Sequence, residues 1–322
     1  MKLSESSCKP LLQRIGIPVI LFVILAAAVL LPQLNVISVL TGTSMLMYIV
    51  LSSAWNIFSG PAGYVSLATS AFFGLGVYMS AFYSDVLPLP VLMLLGAVTS
   101  FVMAAVVGAI TLRLRGVYFT IFTFGLVELL RNVILWLELR NTGRRGRFVT
   151  GYSAETVYYH LLVLLVILLI VSFIIKKSRF GSALVSIGES EDAAEHIGIK
   201  TTLVKLTAFS IGSAFVGAVG AAMATRWTYI DPTIAFDVLL SFLPVLMVIL
   251  GGSRTLAGPV IGAAVFVYLQ EILRSTPYYK IFIGAIMIVA ILFLREGIVG
   301  LVQQAFHNIR IKLKGDASSA NP

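Results

Sequence analysis

Apolar runs of membrane-crossing length, separated by short polar interruptions, dominate this chain. Ten can be drawn, at residues 15–31, 36–58, 64–84, 89–112, 117–139, 157–175, 203–225, 234–251, 256–273 and 279–294. A bilayer core is spanned by roughly 20 apolar residues in a helix, so the pattern predicts an all-α, polytopic transmembrane bundle of about 8–10 spans. Lys2, Lys9 and Arg14 precede the first run and Ala26-Ala27-Ala28 sits near its end, as in a signal peptide. The apolar run continues past the alanines to Pro32, so an uncleaved anchor is expected.

Composition agrees with the pattern. Of 322 residues, 59% are hydrophobic and only 11% charged, against about 25% charged in an average soluble domain. The net charge of +9 does not point to nucleic acid, because the basic residues are spread over the segments between spans, where they orient the chain and meet anionic lipid. With the N-terminus in the cytosol, fourteen of the 23 lysines and arginines fall inside and seven outside, while Arg131 and Lys205 lie within spans. Both termini are therefore expected in the cytosol. One segment runs against the bias: Arg140-Asn-Thr-Gly-Arg-Arg-Gly-Arg147 is a dense basic loop on the predicted outer face. Moving it inside would expel Lys176-Lys177-Ser-Arg179, so the outer placement is kept. Cys8 is the single cysteine and has neither a disulfide partner nor companions for a metal site.

Several spans carry polar or small residues. Ser66, Ser70 and Gly74 recur every fourth residue, as do Ser213, Gly217 and Ala221. Such stripes let helices approach closely, or line a solute path. Gly/Pro clusters at 59–63 and 251–259 interrupt their helices, either as turns or as backbone facing a watery cavity. Glu128 and Arg131 share a helical spacing that pairs them, and Glu271 and Arg274 repeat it. Asn56 joins these four as an intramembrane polar or gating candidate. Local ion pairs near the interface and a role in solute passage both account for the charges. The repeated Glu-x-x-Arg hints at internal duplication.

The 176–200 segment, KKSRFGSALVSIGESEDAAEHIGIK, is far longer than a turn requires. Ser190 is placed to cap a short helix with Glu191 and Asp192 in its first turn, and Gly198 suits its exit. Ala193, Ala194 and Ile197 are expected on one face, with Glu191 and Glu195 pointing elsewhere. Periodicity leaves two readings open: a helix that docks in another protein's groove, or a solvated loop helix.

Asp192-Ala-Ala-(x)3-Gly198 resembles the "EAA" loop of ABC-importer permeases. Three further stretches are similar to the branched-chain amino acid permease family (LivM-like subunits) in order and spacing over roughly residues 35–300. They are Ser52 to Tyr78, with Trp55-Asn56, Gly60-Pro-Ala-Gly63 and Gly74-Leu-Gly76; Arg113 to Arg131, with Arg115-Gly116-Val-Tyr118-Phe119; and Gly251-Gly252 through Gly258-Pro259 to Gly262. Three positions depart from that pattern. Gly188 stands where a basic residue is usual, the Thr-Gly-Gly turn after the fifth span is here the Arg-rich Thr142-Gly143-Arg-Arg-Gly146-Arg147, and Ser253-Arg254 replaces a small, uncharged pair after the double glycine.

The resemblance implies a coupling segment for a cytosolic ATPase, carried here by Gly188, Glu189, Ser190, Asp192, Ala193, Ala194, Ile197 and Gly198. It also implies a second, homologous permease chain, two cytosolic ATPase subunits and an extracytoplasmic solute-binding protein, in a bacterial cytoplasmic membrane. Arg144, Arg145 and Arg147 are the candidates for meeting acids on that binding protein. The chain has no Gly-x(4)-Gly-Lys-[Ser/Thr] loop, so ATP and Mg belong to the partners and no cofactor, catalytic residue or metal is expected in this chain. The expected organisation is a cytosolic segment 1–14, a permease domain 15–300 holding the 176–200 segment, and a cytosolic tail 301–322. Branched-chain or hydrophobic amino acids are the expected solute, though no solute-lining residue can be read from spans this apolar. Urea, short amides or simple sugars are the alternatives. A stand-alone secondary transporter or channel would not need the long 176–200 segment. An intramembrane enzyme finds no support in the scattered His160, His196 and His307.

Overall fold

The computed structural model describes residues 39–273, together with 278, 281, 284, 285, 288 and 297–300. Eight of the ten expected runs fall wholly or mainly on residues 39–273, and each of them holds a helix over most of its described length. The first run, the tail 301–322, Arg274 and most of the last run lie outside the described residues.

The helices are α1 (Val39–Ala62), α2 (Thr69–Tyr83), α3 (Leu89–Thr111), α4 (Val117–Thr142), α5 (Ala154–Lys177), α6 (Arg179–Glu189), α7 (Glu191–His196), α8 (Thr201–Ala224), α9 (Pro232–Ala235), α10 (Leu239–Gly251) and α11 (Ala257–Leu273). Among the described residues five stretches, Leu89–Thr111, Val117–Asn141, Ala154–Lys177, Thr201–Ala224 and Pro232–Gly251, are long and apolar enough to cross a membrane. This is a multi-pass inner-membrane protein. Local chemistry sets several ends. The Ser153 hydroxyl accepts from the Thr156 N–H at the start of α5, Glu155 sits in its first turn, and Lys176 and Lys177 close its last, each complementing the helix dipole. Asp231 caps α9 ahead of Pro232.

α8 is the hub of the bundle. It packs along α3, α2 and α1, and 72% of its apolar window is buried, against 22% for α4. The seam depends on missing side chains. A Cβ on Gly76 would stand 1.9 Å from the Gly217 carbonyl oxygen, and one on Gly217 would stand 2.2 Å from that of Gly96. Three backbones therefore meet at Gly217, and interhelical hydrogen bonds brace them: Ser100 Oγ donates to the Phe72 carbonyl at 3.0 Å and Ser80 Oγ to that of Ala221 at 2.7 Å. The Ser213–Gly217–Ala221 stripe is a packing seam.

The other stripe dissolves. Ser66 belongs to the non-helical stretch 63–68, and α2 begins only at Thr69. That stretch keeps its backbone satisfied from neighbours: the Ser66 carbonyl accepts from Trp55 Nε1 at 2.7 Å, the Val65 carbonyl from Thr120 Oγ1 at 2.9 Å, and the Leu67 N–H donates to Thr123 Oγ1 at 3.0 Å. The 59–63 cluster also breaks later than expected. α1 runs through Gly60 and Pro61 to Ala62, and the turn comes at Gly63, with φ +72°.

Consecutive spans sort the connections onto two ends. Gly63, Arg115, the 176–200 segment and Arg254 share one end, the cytosolic one in the topology set out above. At the other, β1 (Arg147–Phe148) pairs antiparallel with β2 (Tyr229–Ile230). The Arg140–Arg147 loop thus lies opposite the 176–200 segment.

Candidate functional site

The 176–200 segment is two helices rather than one. α6 is amphipathic, burying Gly181, Leu184 and Ile187. It seats on the end of α1 so closely that a Cβ on Gly188 would stand 2.1 Å from the Pro61 carbonyl oxygen. With α6 seated this way, position 188 has no room for a side chain. Ser190 adopts extended backbone, ends α6, and caps α7 by accepting from the Ala193 N–H at 3.3 Å. Gly198, at φ +86°, makes the exit. The start and finish of the short helix are as expected; the 11-residue helix before it is not.

The faces of α7 differ from the expectation. Ala194 is 1% exposed and points into the protein, whereas Ile197 is 74% exposed and Ala193 also faces out. Glu191 does not border an apolar face but turns inward. Its carboxylate accepts from Lys205 Nζ at 2.5 Å and from the Tyr64 hydroxyl. Lys205 is the single basic residue of α8 and its side chain is 2% exposed. The ammonium's three donors are all engaged: Glu191, the Leu112 carbonyl at 3.0 Å and Tyr64 Oη at 3.3 Å. Leu112 caps the C-terminus of α3, so Lys205 also satisfies an orphan carbonyl at that helix end. Arg115 closes the cluster from the α3–α4 connection, with Nη1 2.8 Å from Asp192 Oδ1 and Nε 3.8 Å from Glu191. Behind α7, Thr201 Oγ1 donates to Glu195 at 2.8 Å.

Burial alone would push the Glu191 carboxyl up. The hydrogen bonds from Lys205 and Tyr64 and the charges of Lys205 and Arg115 outweigh it and hold the group below the usual carboxylate range. The same surroundings act oppositely on Tyr64, where burial and the neighbouring carboxylate raise the phenol and keep it a neutral donor. Beneath the cluster lies an aromatic nest. Phe58, Phe119 and Phe209 meet edge-to-face with centroids 5.4–6.1 Å apart, and Tyr64 stands edge-on to Phe119 at 5.5 Å. Each such pair adds about 0.5–1.5 kcal/mol beyond area burial. One carboxylate on α7 is thereby joined to α8, to the end of α3 and to the α1–α2 connection.

The remaining candidates are spread over the molecule. Glu128 and Arg131 pair at 2.6 Å, each about one third exposed. They sit about 17 Å along α4 from its inner end, mid-helix rather than near an interface. Asn56 lines a cavity at the inner end. Glu271 is on α11, but its expected partner Arg274 is outside the described residues. At the outer end Arg144 and Arg145 are exposed, while the Arg147 guanidinium lies 4.2 Å over the Phe82 ring and is partly buried. Among the described residues no group of three or more His, Cys, Asp or Glu is placed to hold a metal.

The sequence reading missed Lys205, Tyr64 and Arg115 as site residues and misplaced Glu191. One signal was present: a lone lysine in an apolar span needs a partner.

The multi-pass helix bundle is of the kind expected of a membrane transport subunit, and the family match assigns it to the permease subunits of ATP-binding-cassette importers. Residues 35–291 match the family described as "Branched-chain amino acid transport system / permease component", and the chain belongs to it. It is 25% identical to the high-affinity branched-chain amino acid transport system permease protein LivM of Escherichia coli (strain K12), over 86% of this chain and 72% of that one. It is 26% identical to the protein of the same name in Salmonella typhimurium (strain LT2), over 83% and 71%. The autoinducer 2 import system permease protein LsrC of Shigella flexneri is 23% identical, over 68% and 66%. No solved structure matches. The chain is a transport subunit, and the family implies a second permease chain, ATPases and a binding protein around it.

Proposed function

We propose that this chain carries a small hydrophobic amino acid, of the branched-chain class, into the cytosol by alternating access, with α7 as the element that the partner ATPase moves. The observation that carries this reading is the buried Lys205–Glu191 pair. It ties a short helix whose far side is exposed, at Asp192, Ala193 and Ile197, to the most buried span of the bundle. A displacement of α7 is then felt by α8 and, through the Leu112 carbonyl, by α3. Nucleotide shifts the transporter between its two states only as far as the ATPase binds them differently. Gly188 and Glu189 end α6 against α1, so the same push reaches α1. At the other end, Arg144 and Arg145 form the face for an acidic patch on the solute-binding protein, while Arg147 serves the loop from within.

The similarity to LsrC supports a second reading, in which the solute is autoinducer 2 or a molecule like it rather than an amino acid. Copurifying the chain with the products of neighbouring genes and measuring solute-stimulated ATP hydrolysis separates the two. Leucine, isoleucine and valine should stimulate; stimulation by autoinducer 2 or urea alone would overturn the amino-acid reading. Reversing Arg144 and Arg145 to Glu should weaken binding-protein docking at least tenfold, and unchanged uptake would remove that face from the mechanism.

A further inference from the structure

A cavity of about 840 Å³ opens at the inner end between α1, α5, α6 and the α10–α11 turn. Its depth is polar. The hydroxyls of Ser53 and Ser172, 6% and 8% exposed, line it and make no hydrogen bond, and neither does the Asn56 carboxamide oxygen. A serine in a helix can bond back to the preceding turn, as Ser52 does to Tyr48 at 2.8 Å. Asn56 keeps its place because Gly60 has no side chain: a Cβ there would stand 2.2 Å from the Asn56 oxygen. Buried polar groups without partners are costly unless something fills them. The same cavity has exposed charges of both signs, Lys176 and Arg254 against Glu189, with Lys176 Nζ donating to the Arg254 carbonyl at 2.9 Å. Ile57, Leu169 and Leu184 supply apolar wall between the two polar zones.

We infer that this cavity is an inward-facing binding site for a small zwitterion with an apolar body, held by Ser53, Asn56 and Ser172 in its depth and by the Lys176, Arg254 and Glu189 charges at its rim. An uncharged apolar ligand would leave the serines unpaired. A simple anion would meet Glu189. A zwitterion satisfies both signs, and its side chain displaces water from the wall. The inference rests on the importer reading in one respect only, the choice of leucine as probe.

The test uses the full chain in inside-out vesicles with Cys8, the single native cysteine, replaced by serine. Ser53→Cys and, separately, Ser172→Cys are labelled with a small thiosulfonate reagent, with and without L-leucine. Leucine should slow labelling at least fivefold at both positions. 3-Methylbutylamine, which lacks the carboxylate, and 4-methylpentanoate, which lacks the ammonium, should not. Adding Asn56→Leu should raise the leucine concentration for half-protection at least tenfold. Unchanged labelling overturns the site, and equal protection by the amine or the acid overturns its zwitterion specificity. Leucine-stimulated ATP hydrolysis by the assembled complex without protection removes this site and leaves the import reading. Protection without stimulation keeps the site and removes leucine import.

Discussion

The two ends of this molecule hold their polar connections by opposite means. At the inner end the buried acid, Glu191, is met by side chains from three other elements: Lys205, Tyr64 and Arg115. At the outer end the buried acid, Glu138, 4% exposed, accepts from the backbone N–H of Gly146 at 3.0 Å, eight residues away. There the loop is closed further by backbone. β1 pairs β2, and the Tyr229 hydroxyl donates to the Arg145 carbonyl at 2.7 Å. Side-chain ion pairs between separate elements are remade without unfolding either one; a backbone-bound loop is a fixed platform. The coupling proposed for the inner end and the docking proposed for the outer end both fit this difference.

The largest expected effect separates these two acids. Glu191→Ala leaves the Lys205 ammonium buried without its counter-charge, which costs about 3–5 kcal/mol. Glu138→Ala removes an acceptor of the half-buried Gly146 N–H, a loss of about 1–3 kcal/mol. Melting of both variants in the same lipid nanodiscs should rank them in that order. Lys205→Met combined with Glu191→Gln should recover much of the first loss while abolishing coupled ATP hydrolysis; recovery of both would show that the pair is packing alone.

Gly188→Ala comes next. Its methyl group meets the Pro61 carbonyl, and forcing α6 off α1 costs about 1–3 kcal/mol. Gly125, on α4, has nothing within 4 Å of the place a Cβ would take, so Gly125→Ala should be neutral or stabilise by about 0.5–1 kcal/mol through helix propensity. Equal losses at the two glycines would contradict the seating of α6.

How far the sequence shows this contrast depends on distance along the chain. Helix existence follows from apolar runs, and Ser190 and Gly198 mark the ends of α7 because capping is local. The Glu128–Arg131 pair is legible because its members stand three positions apart on one helix. Lys205 and Glu191, by contrast, lie on different helices, and Tyr64 is 127 residues from Glu191. No periodicity carries that information. α6 is harder to read locally because two of its positions are glycines, and both mark close approach to other backbone, at Ile175 and Pro61. Ala194 turned inward for a related reason: the Glu191 anchor sets the rotation of α7, and a six-residue helix has too few apolar positions to set it alone.

Acid should act on the inner end selectively. The Glu191 carboxyl titrates below the usual carboxylate range in the folded protein. Its stabilising contribution is therefore fully present above the ordinary carboxylate pKa, and it is lost as pH falls through the depressed folded value. The melting difference between wild type and Glu191→Gln should stay constant from neutral pH down to that range and shrink below it. A difference that shrinks instead as pH rises would mean that the carboxyl is held protonated.

The smallest expected effect is the most discriminating. Arg115 touches both Asp192 and Glu191, and on a contact diagram it competes with Lys205 as the anchor of α7. Exposure decides between them. The Arg115 side chain is 54% exposed and that of Asp192 is 72% exposed, so their attraction acts in high dielectric and is screened by salt. Lys205 is 2% exposed and escapes that screening. Arg115→Gln should then leave the melting temperature unchanged at physiological ionic strength, with a small decrease only at low salt, and should leave coupled ATP hydrolysis close to wild type. If Arg115→Gln uncouples the complex as fully as Glu191→Ala, the rim charge is the anchor of α7, and the path through α8 falls with it.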